Sequence, residues 1–414
     1  MRQPKRTNQF SLQKILFIQF AVLCLIIPWS VAGMQIMLGI ITVTVIIGSI
    51  LQKKNVLQFH PIYVFIGIFL ISLVCAALLS SNVGTGLHNI LHTNWIMLTV
   101  PVIASLPLTN ANRKQALQVL VFSAAIAGLY AIFQFFTGMD LIGGRELWSL
   151  GAFHRASGAY SFYLTFAGNQ LMIFGVAFVL FMQERQWNRQ KWLLFAAVIV
   201  IGLSMVATFG RSVWIGAIGI LLISTFLFYR NHFWKIITVL IVLAAMIFIA
   251  LPDIRERFLI IFDTSHQYNT GRINLWRTSW IMIKAYPWFG VGPGLFDTYF
   301  EQFKVPGMYD ATGHAHNDYL HMAVQGGLIT LLIWLSVWVV FFYYSLRFIG
   351  RNVSGQENSV TVSAVVLAIA GIMIAALFQC YFVDLENAIL WWTLVAISIQ
   401  VFIQEPVGHA LTKK

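Results

Sequence analysis

Runs of about 20 apolar residues recur along the chain, parted by short polar breaks, and each is long enough to cross a bilayer as a helix. The pattern predicts helices over 14–29, 33–51, 62–80, 90–108, 115–137, 162–182, 192–209, 213–229, 235–251, 326–346, 360–382 and 387–403. One break differs from the rest. From Pro252 to Gln325 the chain turns polar, charged and rich in glycine. It divides the protein into nine apolar runs with short loops (1–251), a large helical insert (252–325), and three more runs with a polar tail (326–414). That organisation is an all-α polytopic membrane protein with about 12 transmembrane helices.

Composition agrees with the pattern. Hydrophobic residues make up 59% and charged residues 10%, against roughly 25% charged in soluble domains. The net charge of +12 would suit a nucleic-acid partner, but its placement argues for topology instead. Lys53 with Lys54, Arg113 with Lys114, Arg185 to Lys191, Arg230 with Lys235, Arg347 with Arg351, and both chain ends fall in alternate breaks. That is the positive-inside bias, so both termini are expected in the cytoplasm and the insert outside it. The basic start Met1–Arg6, its apolar run and Ser30-Val-Ala32 have the outline of a signal peptide. A second run from Gly33 makes a helical hairpin, and we read the first run as an uncleaved span. Cys24, Cys75 and Cys380 stand singly inside apolar runs and behave as small hydrophobes.

The outer breaks carry the candidate chemistry. Arg155, Arg211 and Arg272 all fall there, on the side the positive-inside rule disfavours. Boundary arginines can snorkel to lipid headgroups. They also grip phosphate oxygens in two-pronged fashion and stay charged at any physiological pH. Arg272 opens an amphipathic helix expected over Thr270–Ala285, where Arg272, Trp276 and Trp280 share one face. The run Phe289-Gly-Val-Gly-Pro-Gly294 lacks the spacing of a nucleotide loop and follows no strand, so it reads as a backbone-permissive turn. The cluster His314-Ala-His-Asn-Asp-Tyr-Leu-His321 admits three readings. Two histidines with Asp318 or His321 could ligate a metal; Asn317 or Asp318 could cap the tenth helix; a histidine could take a proton near neutral pH.

Three groups of residues together resemble the O-antigen ligase and polymerase superfamily of bacterial envelope glycosyltransferases. They are Gly271-Arg272 with Leu275-Trp276 and Pro287–Phe296; His314–Leu320 with Gly326-Gly327-Leu328; and Arg155-Ala-Ser-Gly158. The resemblance implies a C-type glycosyltransferase-like architecture and transfer of a glycan from undecaprenyl pyrophosphate, needing neither metal nor cofactor. It implies His316 as base, Arg272 as the essential partner of the diphosphate, and Arg155 and Arg211 as further diphosphate ligands. His314, Asn317, Tyr319 and Trp276 are secondary candidates. One departure stands out: the superfamily often places an acid just before the glycine pair, and this chain has Gln325-Gly326.

Ligase is the favoured member, with lipid A–core as acceptor, membrane lipids around the spans and the active site facing the periplasm from the cell inner membrane. Polymerase and protein O-oligosaccharyltransferase are the alternatives within the superfamily. Outside it, a transporter of an anionic substrate would place its ionisable groups near mid-bilayer. Here they gather at the outer face.

Overall fold

The computed structural model describes residues 6–53, 57–228, 230–250, 252–260, 263, 266–309, 313–351 and 357–405. Arg2, Lys5, Lys54, Lys413 and Lys414, all used in the charge argument, lie outside the described residues. The chain is overwhelmingly helical. Its helices are α1 (Arg6–Ile26), α2 (Val31–Gln52), α3 (Ile62–Leu78), α4 (Val83–Thr93), α5 (Val100–Ala104), α6 (Asn110–Thr137), α7 (Tyr163–Gln183) and α8 (Arg189–Ala207). They continue with α9 (Arg211–Phe228), α10 (Phe233–Ala250), α11 (Pro252–Leu259), α12 (Gln267–Ala285), α13 (Phe296–Phe303), α14 (Asp318–Arg351), α15 (Glu357–Ala375) and α16 (Leu385–Gln404). Among the described residues, 7 helices are long and apolar enough to cross a membrane: α2, α6, α7, α8, α14, α15 and α16.

Local chemistry sets the helix starts. The Ser30 hydroxyl accepts from Gly33 N at α2, and Thr109 and Asn112 form a reciprocal capping box at α6. Both satisfy backbone donors that a helix start leaves open. In the packed bundle α7, α15 and α16 are almost wholly buried. Outer helices keep an apolar face outward: Ile36, Ile40, Val43 and Ile47 of α2 are all exposed. A patch of that kind suits hydrocarbon and not water.

At the end of the bundle away from the insert, the fully buried Arg113 ties three helices together. Its guanidinium donates to Gln404 Oε1 at 2.7 Å and Gln400 Oε1 at 3.1 Å on α16. It also donates to Asn358 Oδ1 on α15 at 2.7 Å and to the Leu108 carbonyl at 3.1 Å.

Several predicted elements differ from the structure, the first helix among them, which runs Arg6–Ile26. The fourth run is broken: α4 ends at Thr93, a 3-10 turn covers Trp95–Thr99, and α5 follows. Pro101 has no N–H to continue the helical ladder and sits instead in the first turn of α5. The tenth helix starts at Asp318, eight residues before its predicted start. The eleventh ends at Ala375, leaving Ala376–Asp384 as a connector.

The insert is joined to the bundle through a break in α14. Gly327 has φ 72 and ψ −178, a conformation reserved for glycine. The turn of helix around it gives up its own bonding. Leu328 N donates to Pro287 O at 2.8 Å, while Val291 N and Gly292 N donate to Val324 O and Gln325 O at 2.8 and 3.0 Å. The glycine run therefore docks edge-on against α14. A side chain at Gly290 would strike the Val324 carbonyl, and one at Gly327 the Trp288 carbonyl. Behind this contact Leu275, Met282, Val291, Phe296 and Phe300 form a small core of their own, which Ala323 and Val324 of α14 complete.

Candidate active site

The first candidate residue sits on strained backbone. His316 has φ 49, a left-handed conformation uncommon outside glycine and costing of order 1 kcal/mol or more. What holds it is local: His316 N donates to His314 Nδ1 at 3.2 Å. Just beyond, Asn317 Oδ1 accepts from Leu320 N at 3.0 Å and so caps α14. The result points a 5% exposed His316 ring at the connector between α15 and α16.

That connector organises everything around it. Gln379 Oε1 lies 2.5 Å from His316 Nδ1, and the Phe378 carbonyl accepts from Arg272 Nη1 at 3.0 Å. The Leu377 carbonyl accepts from Asn317 Nδ2 at 2.9 Å. Asp318 is enclosed by the connector, its Oδ2 accepting from Tyr381 N and Phe382 N at 2.9 and 3.0 Å. The Tyr381 hydroxyl pairs with Ser212 Oγ at 2.8 Å, beside Arg211 at the start of α9. Thr165 Oγ1 donates to Asp384 Oδ2 at 2.7 Å, fastening the far end of the connector to α7.

The electrostatics follow from this packing. Burial, then the Arg272 charge, hold the His316 imidazole down at about 4 from its ordinary 6.5; Gln379 works the other way, and His321 adds to the lowering. His314 is held at about 3 by burial first, then by His316 and Arg272. At neutral pH both rings are uncharged. His316 Nε2 is buried with no hydrogen-bond partner among the described residues, and so is Arg272 Nε.

The other candidates divide by role. Arg155 is 5% exposed and follows a two-residue hairpin in which Ser149 faces His154 and Leu150 faces Phe153. Its guanidinium lies over the Tyr163 ring at 4.5 Å and the Trp148 ring at 5.5 Å. Burial pushes the Tyr381 hydroxyl up first of all, and the Arg272 charge works against it. Trp276 lies against Phe378 at 6.3 Å, so Arg272 and Trp276 face the connector together. Trp280, on the same predicted stripe, is exposed beneath Lys284. Tyr319 has a packing role, its hydroxyl on the Met373 carbonyl and its ring against Trp334. As for a metal, Asp318 is turned away into the connector. Among the described residues no three His, Cys, Asp or Glu side chains lie together as ligands would.

Residues 195–335, from within α8 to the middle of α14, match the family model described as O-Antigen ligase. Over those residues the chain is similar to the O-antigen ligase family. The match spans Arg211, Arg272 and His316 and stops short of Arg155 and the 376–384 connector. A comparison with curated proteins finds no match. The similarity supports a glycosyltransferase-like enzyme and suggests lipid-linked glycan substrates.

The connector is what sequence reading missed. Its residues, Ala376-Leu-Phe-Gln-Cys-Tyr-Phe382, are apolar enough to pass for the end of a membrane helix. One signal was present: Gln379 is a lone polar side chain in that run, and such residues inside membrane segments are costly without a partner.

Proposed function

We propose that the protein is an O-antigen ligase, moving a glycan from undecaprenyl pyrophosphate to a sugar hydroxyl of lipid A–core at the periplasmic face of the bacterial inner membrane. The observation that carries the reading is the unpartnered, buried Nε2 of His316 within the field of Arg272, both held by one connector.

In this reading the anomeric carbon of the donor is already bound to a good leaving group. His316 Nε2 takes the proton of the attacking hydroxyl, the oxygen attacks the anomeric carbon directly, and the configuration inverts. Arg272, Arg211 and Arg155 hold the diphosphate and balance the charge that develops as the C–O bond breaks. Positioning supplies on the order of 7–11 kcal/mol, and a general base about 10²–10⁴-fold in rate. The depressed His316 fits the task. It is neutral before the donor binds, and the incoming diphosphate raises its basicity just where the proton must go.

The test is reconstitution of purified protein with lipid-linked glycan and lipid A–core. Product should form, and His316→Ala and Arg272→Ala should abolish it while unfolding at the parent's temperature. Parent-level product from either variant would remove that residue from the assignment. Lengthening of the donor glycan without lipid A–core would make the protein a polymerase. Movement of donor across liposomes without acceptor would make it a transporter.

A further inference from the structure

Gln379 has no part in the reaction as set out above, yet it makes the closest polar contact to His316. It is 3% exposed, and its Oε1 stands 2.5 Å from Nδ1. An amide oxygen accepts and cannot donate. The pairing therefore requires the hydrogen on Nδ1 and leaves the lone pair on Nε2, the nitrogen that has no partner. The next residue back, Phe378, holds Arg272 by its carbonyl. Consecutive residues of one connector thus orient the base and the guanidinium.

We propose that Gln379 is a positioning residue for glycan transfer, locking His316 as the Nδ1–H tautomer so that Nε2 faces the acceptor hydroxyl. This rests on the reading of His316 as the base. The hydroxyl proton moves to Nε2, and the oxygen's electron pair forms the bond to the anomeric carbon. The pair of the breaking C–O bond leaves on the diphosphate. His316 is then an imidazolium whose Nδ1–H still donates to Gln379.

The surroundings explain why an amide suits the position. The charged and titratable groups acting on His316 are Arg272 and His321, with His314 against its ring. The Asp318 carboxylate is committed to the Tyr381 and Phe382 amides. A neutral acceptor at Nδ1 fixes the tautomer and leaves the basicity of His316 to burial and to Arg272.

The experiment compares Gln379→Leu and Gln379→Glu with the parent and with His316→Ala, measuring kcat, KM and the pH profile of transfer to lipid A–core. Leu removes the acceptor and should lower kcat roughly 10- to 100-fold with KM unchanged, the scale seen when a partner orienting a functional histidine is lost. Glu keeps an acceptor oxygen and should recover most of kcat, while its negative charge moves the acid limb of kcat/KM to higher pH. Parent-like kcat and pH profile in Gln379→Leu would overturn the proposal. So would equal losses in Leu and Glu with an unmoved acid limb, the mark of a merely structural side chain. If Gln379→Leu fails to fold, the acid limb of Gln379→Glu decides alone. Full activity in His316→Ala would sink the base assignment itself. An inactive His316→Ala beside parent-like Gln379 variants would sink only the role of Gln379.

Discussion

Substituting Gly327 by alanine should undo the joint between the insert and the bundle. The added Cβ meets the Trp288 carbonyl carbon and oxygen, which are backbone atoms that no rotamer change can clear. The backbone itself, at φ 72 and ψ −178, lies in a region costing a non-glycine residue about 1–3 kcal/mol. Pushing the glycine run away also breaks Leu328 N to Pro287 O, Val291 N to Val324 O and Gly292 N to Gln325 O. Each is worth about 0.5–1.5 kcal/mol net. The total is about 3–7 kcal/mol, a large part of the stability of an ordinary domain. Thermal unfolding in detergent should show a clear fall in midpoint, and limited proteolysis should open new cuts between Tyr286 and Gly294. Gly39→Ala is the control. It lies in the middle of α2, its added Cβ meets nothing within 4 Å, and it should raise stability by about 0.5–1 kcal/mol. If Gly327→Ala unfolds with the parent and resists protease equally well, the docking account is wrong.

Two further outcomes follow from buried charge. The unfolded chain binds protons on His314 and His316 below about pH 6.5, whereas the folded chain refuses them down to about 3 and 4. Their contribution to stability is therefore complete above pH 6.5 and lost as pH falls toward 4; unfolding midpoints across that range should drop less in the His314→Gln, His316→Gln double variant than in the parent. Arg113→Met should leave Asn358, Gln400 and Gln404 without their shared donor and cost on the order of 3 kcal/mol, read as a lowered midpoint, with unchanged midpoint refuting the anchor.

Half of the candidate site was legible in the sequence. Arg272 and Trp276 could be named because charged residues are conspicuous against an apolar chain and a 3.6-residue period puts the two on one face; the histidine cluster was equally conspicuous, but only the resemblance singled out His316 within it. The cap was readable to within one residue, as Asn317 or Asp318, since capping is settled within a few residues; the structure gives it to Asn317. Gln379 was not, for the same physics run in reverse. A single amide among Leu377, Phe378, Cys380 and Tyr381 hardly changes hydropathy, so the connector merged with α15. Nor did spacing show that Asp318 faces the connector and not a metal, because that depends on backbone amides more than 60 residues along.

Hydropathy set the membrane character and most of the helical elements, because a long apolar run has few other ways to satisfy its backbone in lipid. Glycine chemistry fixed that the run at 289–294 would be a turn. The folded chain alone settled where that turn docks, and that Gly327 opens α14 to receive it. It also settled that one short connector would hold His316 with one residue and Arg272 with its neighbour. Those outcomes come from pairings between distant segments, and a pairing is set by which donors and acceptors packing leaves exposed to each other. No local pattern records that.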